Sequence, residues 1–154
     1  MALKLHEPLE SFRFNGSEFW RGVGAVELLN DEREMIALRV SRRTTNERIE
    51  KAVRRIKSLA DKFTIISGFI SPGERAIFNA LASDPNGRMI KVLPFSMAHD
   101  YMPASSLLPL INEGRLAIIA RGNSAEELSR KACLDLNAAI IPIAEKAGRA
   151  VYLV

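Results

Sequence analysis

Cysteine is almost absent from this chain of 154 residues. Cys133 alone excludes an internal disulfide and suits a reducing compartment. Histidine is as scarce: His6 and His99 stand far apart, and with one cysteine they do not make up a zinc-binding set. No apolar run reaches the ~20 residues that a membrane-spanning helix needs. The first residues lack the apolar core of a secretory signal. Low-complexity segments and solenoid-type repeats are missing too. The expectation is a cytoplasmic protein without a membrane partner, a metal or a cofactor.

What is present is ordinary in bulk and uneven in detail. Hydrophobic residues make up 47% and charged residues 26%, a globular composition, and the length suits one domain with a real core. The net charge of +4 is concentrated. Between Arg39 and Lys62 lie nine basic residues (Arg39, Arg42, Arg43, Arg48, Lys51, Arg54, Arg55, Lys57, Lys62) and three acidic ones (Glu47, Glu50, Asp61), nine minus three giving +6 and leaving −2 for the rest. Such a segment is either a footprint for an anionic polymer or a solvated helix face.

Residues 1–34 differ in character from the rest of the chain. Ser11 to Trp20 alternates on both sides of Asn15-Gly16, a strong hairpin signal. Phe12, Phe14, Phe19 and Trp20 fall here, and they either extend the core or seat a partner chain. Leu28-Leu29 reads as a short connecting turn. The division expected is an N-terminal arm or hairpin, 1–34, and a nucleotide- or DNA-binding domain, 35–154.

From Met35 onward, strand and helix patterns alternate. Apolar runs at Met35–Val40, Phe63–Ile66, Met89–Leu93, Leu116–Ala120 and Ala150–Val154 read as buried strands. Between them, Ile49, Ala52, Val53, Ile56, Leu59 and Ala60 recur at helical spacing, as do Ala76, Ile77, Ala80 and Leu81. A short helix is expected from Ser105 to Asn112, ending at Gly114, and a long one from Ser124 to about Lys146, kinked at Pro142. The implied fold class is α/β: a three-layer arrangement with a mainly parallel sheet of about five strands and helices on both faces.

Capping boxes are expected at Thr44/Glu47, Ser71/Glu74 and Ser124/Glu127, each just past the carboxyl end of a strand. Helices need such caps regardless of ligands. Their convergence at the edge where open α/β sheets bind ligands, together with Arg42, Arg43 and Gly68, suggests an anion site. Pro72 suits the first helical position, and Gly68 is expected to bend the turn. His99-Asp100 carries no acid–base assignment, because adjacent residues in a loop seldom form a working dyad. Cys133 reads as a packed helix residue.

Several stretches, in order, resemble the DNA-processing protein A family: Ile36-Ala-Leu-Arg-Val-Ser-Arg-Arg43, Thr64-Ile-Ile-Ser-Gly-Phe-Ile-Ser-Pro-Gly-Glu-Arg75, Gly114-Arg-Leu-Ala-Ile-Ile119, and Asn137 before an apolar run. The likeness covers roughly residues 24–154 and is strongest to the short single-domain members, whose second strand runs into Ser-Gly-Phe-x-Ser-Pro-x-Glu. The resemblance implies a bacterial-type Rossmann-like domain that binds single-stranded DNA and loads a recombinase onto it in DNA processing and recombination. By that likeness, Ser41 and Arg42 match the family's Gly-Ser-Arg turn, Ser67 and Gly68 its Ser-Gly turn, and Asn137 the Asn of its Arg-Asn-Arg segment. Three positions depart from the pattern. Val40 stands where the turn glycine belongs, Leu136 and Ala138 flank Asn137 in place of arginines, and Ser71-Pro72 replaces an Arg-Gly of longer members.

The phosphate- or nucleic-acid-binding candidates are therefore Ser41, Arg42, Arg43, Ser67, Gly68, Ser71, Arg75 and Asn137, with no catalytic residue. The reading placed first is non-catalytic binding of single-stranded DNA or a nucleotide. The second is an interaction or scaffold protein whose site has decayed and whose aromatic arm joins a partner or a second copy as a homodimer. The third, by superfamily analogy, is a nucleoside-monophosphate phosphoribohydrolase, although the chain has no Pro-Gly-Gly-x-Gly-Thr signature.

Overall fold

Period-two alternation builds the sheet. In strand β3 (Glu34–Arg39), Ile36 and Leu38 join the core on one face, and Met35 and Ala37 join the core on the other. Ile65 and Ile66 divide in the same way in β4 (Phe63–Ser67), and Met89 and Ile90 in β5 (Arg88–Val92). In β6 (Leu116–Arg121), Leu116, Ile118 and Ala120 face one way and Ala117 and Ile119 the other. Strands buried on both faces read as continuous apolar runs, as parallel strands do.

The computed structural model describes residues 7–14, 18–30, 33–95, 97, 101–121 and 151–153. Its sheet runs β1-β2-β6-β5-β4-β3-β7, where β1 is Glu7–Phe14, β2 is Glu18–Gly24 and β7 is Val151–Leu153. The five strands from β6 to β7 are parallel, so the expected sheet is found. The N-terminal hairpin is found as well: β1 pairs antiparallel with β2, and β2 pairs antiparallel with β6, Gly22 opposite Ile119. The hairpin thus lengthens the same sheet. Pro8 lies in its outermost strand, where the missing N–H breaks no interior ladder.

Helices α1 (Asn46–Leu59) and α2 (Pro72–Ala82) connect successive parallel strands and pack on one face, as same-handed crossovers in one direction require. Their buried stripes are Ala52 and Ile56, and Ile77 and Leu81. A 3-10 turn at Ser105–Leu107 leads into α3 (Leu108–Asn112), whose Leu110 and Ile111 extend that core. Gly114, at φ +74, ends the segment in the left-handed conformation that glycine tolerates. On the other face, among the described residues, Leu28 of the 3-10 turn Val26–Asn30 packs with Ala25, Met35, Ile66 and Ile90.

Some expectations fall outside the described residues: Asn15-Gly16, His99-Asp100, the Ser124/Glu127 cap, the helix to Lys146 with its kink at Pro142, Cys133, and Asn137 with Leu136 and Ala138. One expectation is corrected. The cap of α1 is Thr45, not Thr44: Thr45 is extended, and its Oγ1 accepts from the Arg48 N–H at 3.3 Å. The residue three positions on from Thr45 is then Arg48, so the reciprocal Glu47 bond of a capping box does not form.

At α2 the capping box is complete and reaches further than its own helix. Ser71 Oγ accepts from Glu74 N at 3.2 Å. Glu74 Oε1 accepts from Ser71 N at 3.5 Å and Ile70 N at 3.0 Å, and Oε2 accepts from Val40 N at 2.9 Å. One buried carboxylate therefore ties the turn after β3 to the turn after β4. Glu74→Ala strands three N–H groups, and we expect chemical denaturation to show a loss of about 3 kcal/mol. Glu74→Gln, which keeps one carbonyl acceptor, should lose clearly less.

Candidate nucleic-acid interface

The carboxyl ends of β3, β4 and β5 lie side by side, and the chain leaves each through a different turn. After β3, Ser41 starts a tight turn in which its carbonyl accepts from Thr44 N at 3.1 Å and its Oγ from Arg43 N at 3.2 Å. The turn pushes Ser41, Arg42 and Arg43 into solvent. Val40, just before it, does the opposite. It is buried over the first turn of α2, where a Cβ added to Gly73 would run into Val40 Cγ1. The valine that replaces the expected glycine thus fills space beside the helix end, and Gly73 is the residue that makes room for it.

The turn after β4 is just as constrained. Ser67 is fully buried, and its Oγ accepts from Phe69 N at 3.1 Å. Gly68 is buried in this turn, and the left-handed conformation is taken by its neighbour Phe69, at φ +50. A bulky residue seldom adopts that conformation. Phe69 is held there by the Ser67 bond and by edge-on packing against Phe78, ring centres 5.0 Å apart at 65°. Ser71 is buried and engaged with Glu74, so the positive end of α2 already faces a carboxylate of its own chain.

Of the sequence-derived candidates, Ser41, Arg42, Arg43 and Arg75 are exposed, Ser67, Gly68 and Ser71 are buried, and Asn137 is outside the described residues. Lys91 was not singled out by sequence reasoning. It lies in β5, paired in register with Ser67 at the carboxyl end of β4, and lines a cavity of about 180 Å³ with Phe69, Arg75, Phe78 and Asn79. Burial pushes its ammonium below the ordinary lysine range. The available signal was the interruption itself, a lysine inside the apolar run Met89–Leu93.

A larger cavity, about 420 Å³, opens at the opposite edge, by the amino ends of the strands, among Arg33, Arg88, Glu113 and Arg115. Size does not make it the better site, because two of its cations are committed to backbone. Arg115 donates to Leu81 O, Ala82 O, Asp84 O and Gly87 O, closing the end of α2, and pairs with Glu113 at 2.8 Å. Arg33 Nη1 donates to Ala60 O at 2.8 Å, at the end of α1, and to Asn86 O at 2.7 Å. Cations at helix C-termini satisfy orphan carbonyls and oppose the dipole.

The nine basic residues from Arg39 to Lys62 are all exposed. Arg48, Lys51 and Arg55 recur at i, i+3 and i+7 and so share a face of α1. Among the described residues there is no cluster of three metal-binding side chains and no helix long and apolar enough to cross a membrane.

Solved structures share this fold, among them the following two. DNA processing protein A from Streptococcus pneumoniae matches with a TM-score of 0.62 and 16% identity, over 88% of this chain and 54% of its own. DNA processing protein A from Helicobacter pylori, whose structure concerns its mode of single-stranded DNA binding, matches with a TM-score of 0.62 and 18% identity, over 99% of this chain and 67% of its own. The chain thus spans about half, 54%, of the S. pneumoniae protein. At these identities the likeness is one of fold, and it is the fold that the sequence resemblance implies. No protein-family model and no curated protein sequence matches the chain.

Two outcomes test this geometry. Gly73→Ala should cost about 1–3 kcal/mol by overpacking against Val40, and Val40→Ala in the same chain should recover part of that loss, making the pair non-additive in denaturant titrations. Lys91→Met should raise Tm at neutral pH. The penalty of a buried ammonium is complete below its lowered native pKa and fades as pH rises from there to the ordinary lysine value, where the unfolded chain also loses its proton. The gain should therefore shrink across that window; a gain that does not change with pH would contradict the assignment.

Proposed function

We propose that this protein binds single-stranded DNA, without acting on it chemically, along α1 and the turn that precedes it at the carboxyl edge of the sheet. The observation that carries this reading is the exposed basic segment from Arg39 to Lys62, which holds +6 (nine basic minus three acidic residues) of a total charge of +4. A helix of 14 residues presents such charge over about 20 Å, a length suited to several consecutive phosphates. Arg42 and Arg43 extend the surface, since guanidinium groups held in a turn can grip phosphate oxygens in pairs. Ser41 offers a hydroxyl beside them.

The fold supports the same choice: the H. pylori protein that shares it is described as binding single-stranded DNA. The exposed arginines of this edge differ from Arg33 and Arg115 at the other, which bond to helix-end carbonyls. Positive charge gathered on an exposed surface is what a polyanion can recruit. Affinity of this kind rests on counterion release, so it must fall with salt.

Fluorescence anisotropy with a labelled oligodeoxythymidine across a salt series provides the test. Log K should fall linearly with log salt. Arg42→Ala should weaken binding and flatten the slope by about 0.7, one phosphate contact. Reversing Arg48 and Arg55 to Glu together should weaken it more. Absence of binding at low salt, or indifference to both changes, would remove the proposal.

A further inference from the structure

The cavity of about 180 Å³ between α2 and β5 is distinct from the exposed basic surface. Among the described residues that line it, two are cations, Arg75 and Lys91, and none is acidic. Among the described residues, neither cation's side chain has a hydrogen-bond or ion-pair partner. Lys91 belongs to a strand and is only partly exposed. A partly buried charge without a counter-charge is costly to keep unless a ligand supplies one. Beside these cations the half-buried Phe78 ring is backed edge-on by the buried Phe69 ring. Asn79 adds an amide that can both donate and accept.

Size narrows the ligand. The cavity is smaller than the ~300–1,000 Å³ typical of pockets that enclose a whole small molecule. It suits one charged group of something larger. A phosphate inside a chain continues on both sides and cannot enter such a recess head-on, whereas a phosphate monoester has one attachment and can. A monoester also carries close to two negative charges at neutral pH, matching two cations.

We propose that this cavity receives the phosphate monoester of a nucleotide, held by Lys91 and Arg75, with the attached nucleoside lying against Phe78. The monoester comes either from the phosphorylated end of a strand, in which case the proposal rests on the single-strand reading above, or from a free mononucleotide, in which case it does not.

The test compares oligodeoxythymidines of equal length with a 5′-phosphate, a 3′-phosphate or neither, at fixed salt, together with thymidine 5′- and 3′-monophosphate alone. One phosphorylated end should bind on the order of tenfold tighter than the unphosphorylated strand, as one or two charge-assisted hydrogen bonds would give. That ratio should fall close to one in Lys91→Met and, separately, in Arg75→Gln, whose exposed side chain makes misfolding no concern. Equal affinity for all three strands in the unaltered chain overturns the cavity assignment and leaves the single-strand reading intact. A ratio that persists in both variants also overturns it, since the phosphate is then read elsewhere. Binding of a monophosphate, lost in Lys91→Met, with no binding of any strand, upholds the cavity and overturns the single-strand reading. Binding of no probe overturns both.

Discussion

The Glu74 carboxylate ties three backbone positions that are distant in sequence or differ in conformation: Val40 at the end of β3, Ile70 in the turn after β4, and Ser71 at the start of α2. Everything at the carboxyl edge depends on that tie. It holds Val40 over Gly73, and so sets where the exposed turn of Ser41, Arg42 and Arg43 begins. It also holds the end of the turn in which Phe69 adopts its unusual backbone angle. A buried carboxylate is retained at such a place because its acceptors are all used by N–H groups that would otherwise be stranded.

The two edges of the sheet use the same residue type in opposite ways. At the amino edge, Arg33 and Arg115 spend their donors on the carbonyls that end α1 and α2. At the carboxyl edge, Arg42, Arg43 and Arg75 stand in solvent. The difference follows from helix polarity. In a strand–helix–strand unit the helix C-terminus returns to the amino edge and offers acceptors to a cation, whereas the helix N-terminus sits at the carboxyl edge and offers only donors, here already taken up at α2 by Ser71 and Glu74. On the proposed reading, the exposed positive charge at that edge is what an outside partner would meet.

Local chemistry made much of this legible in advance. Continuous apolar runs located the parallel strands, and helical spacing located α1 and α2, because the pattern of apolar residues along the chain reports burial directly. The Ser71-Pro72-x-Glu74 spelling located the start of α2, because the reciprocal bonds of the capping box itself lie within four residues. Thr44 and Thr45 were less legible: both can cap, and the choice depends on the turn set up by Ser41. Gly68 was the expected bending residue, and the left-handed angle falls on its neighbour Phe69, held by Ser67 and Phe78.

The α/β class, the strand–helix order, the capped turn at Ser71 and the concentration of positive charge between Arg39 and Lys62 are all written into the linear chain. These depend on spacing along the chain, on propensity and on composition, which are complete before the chain folds. Folding in three dimensions is what brings Glu74 to Val40, 34 positions away, sets Val40 against any side chain at position 73, and gathers Lys91, Arg75, Phe69 and Phe78 around one cavity. Those contacts join residues on different elements. Neither local propensity nor periodicity encodes them, because they arise from the register of neighbouring strands and the seating of α2 on the sheet.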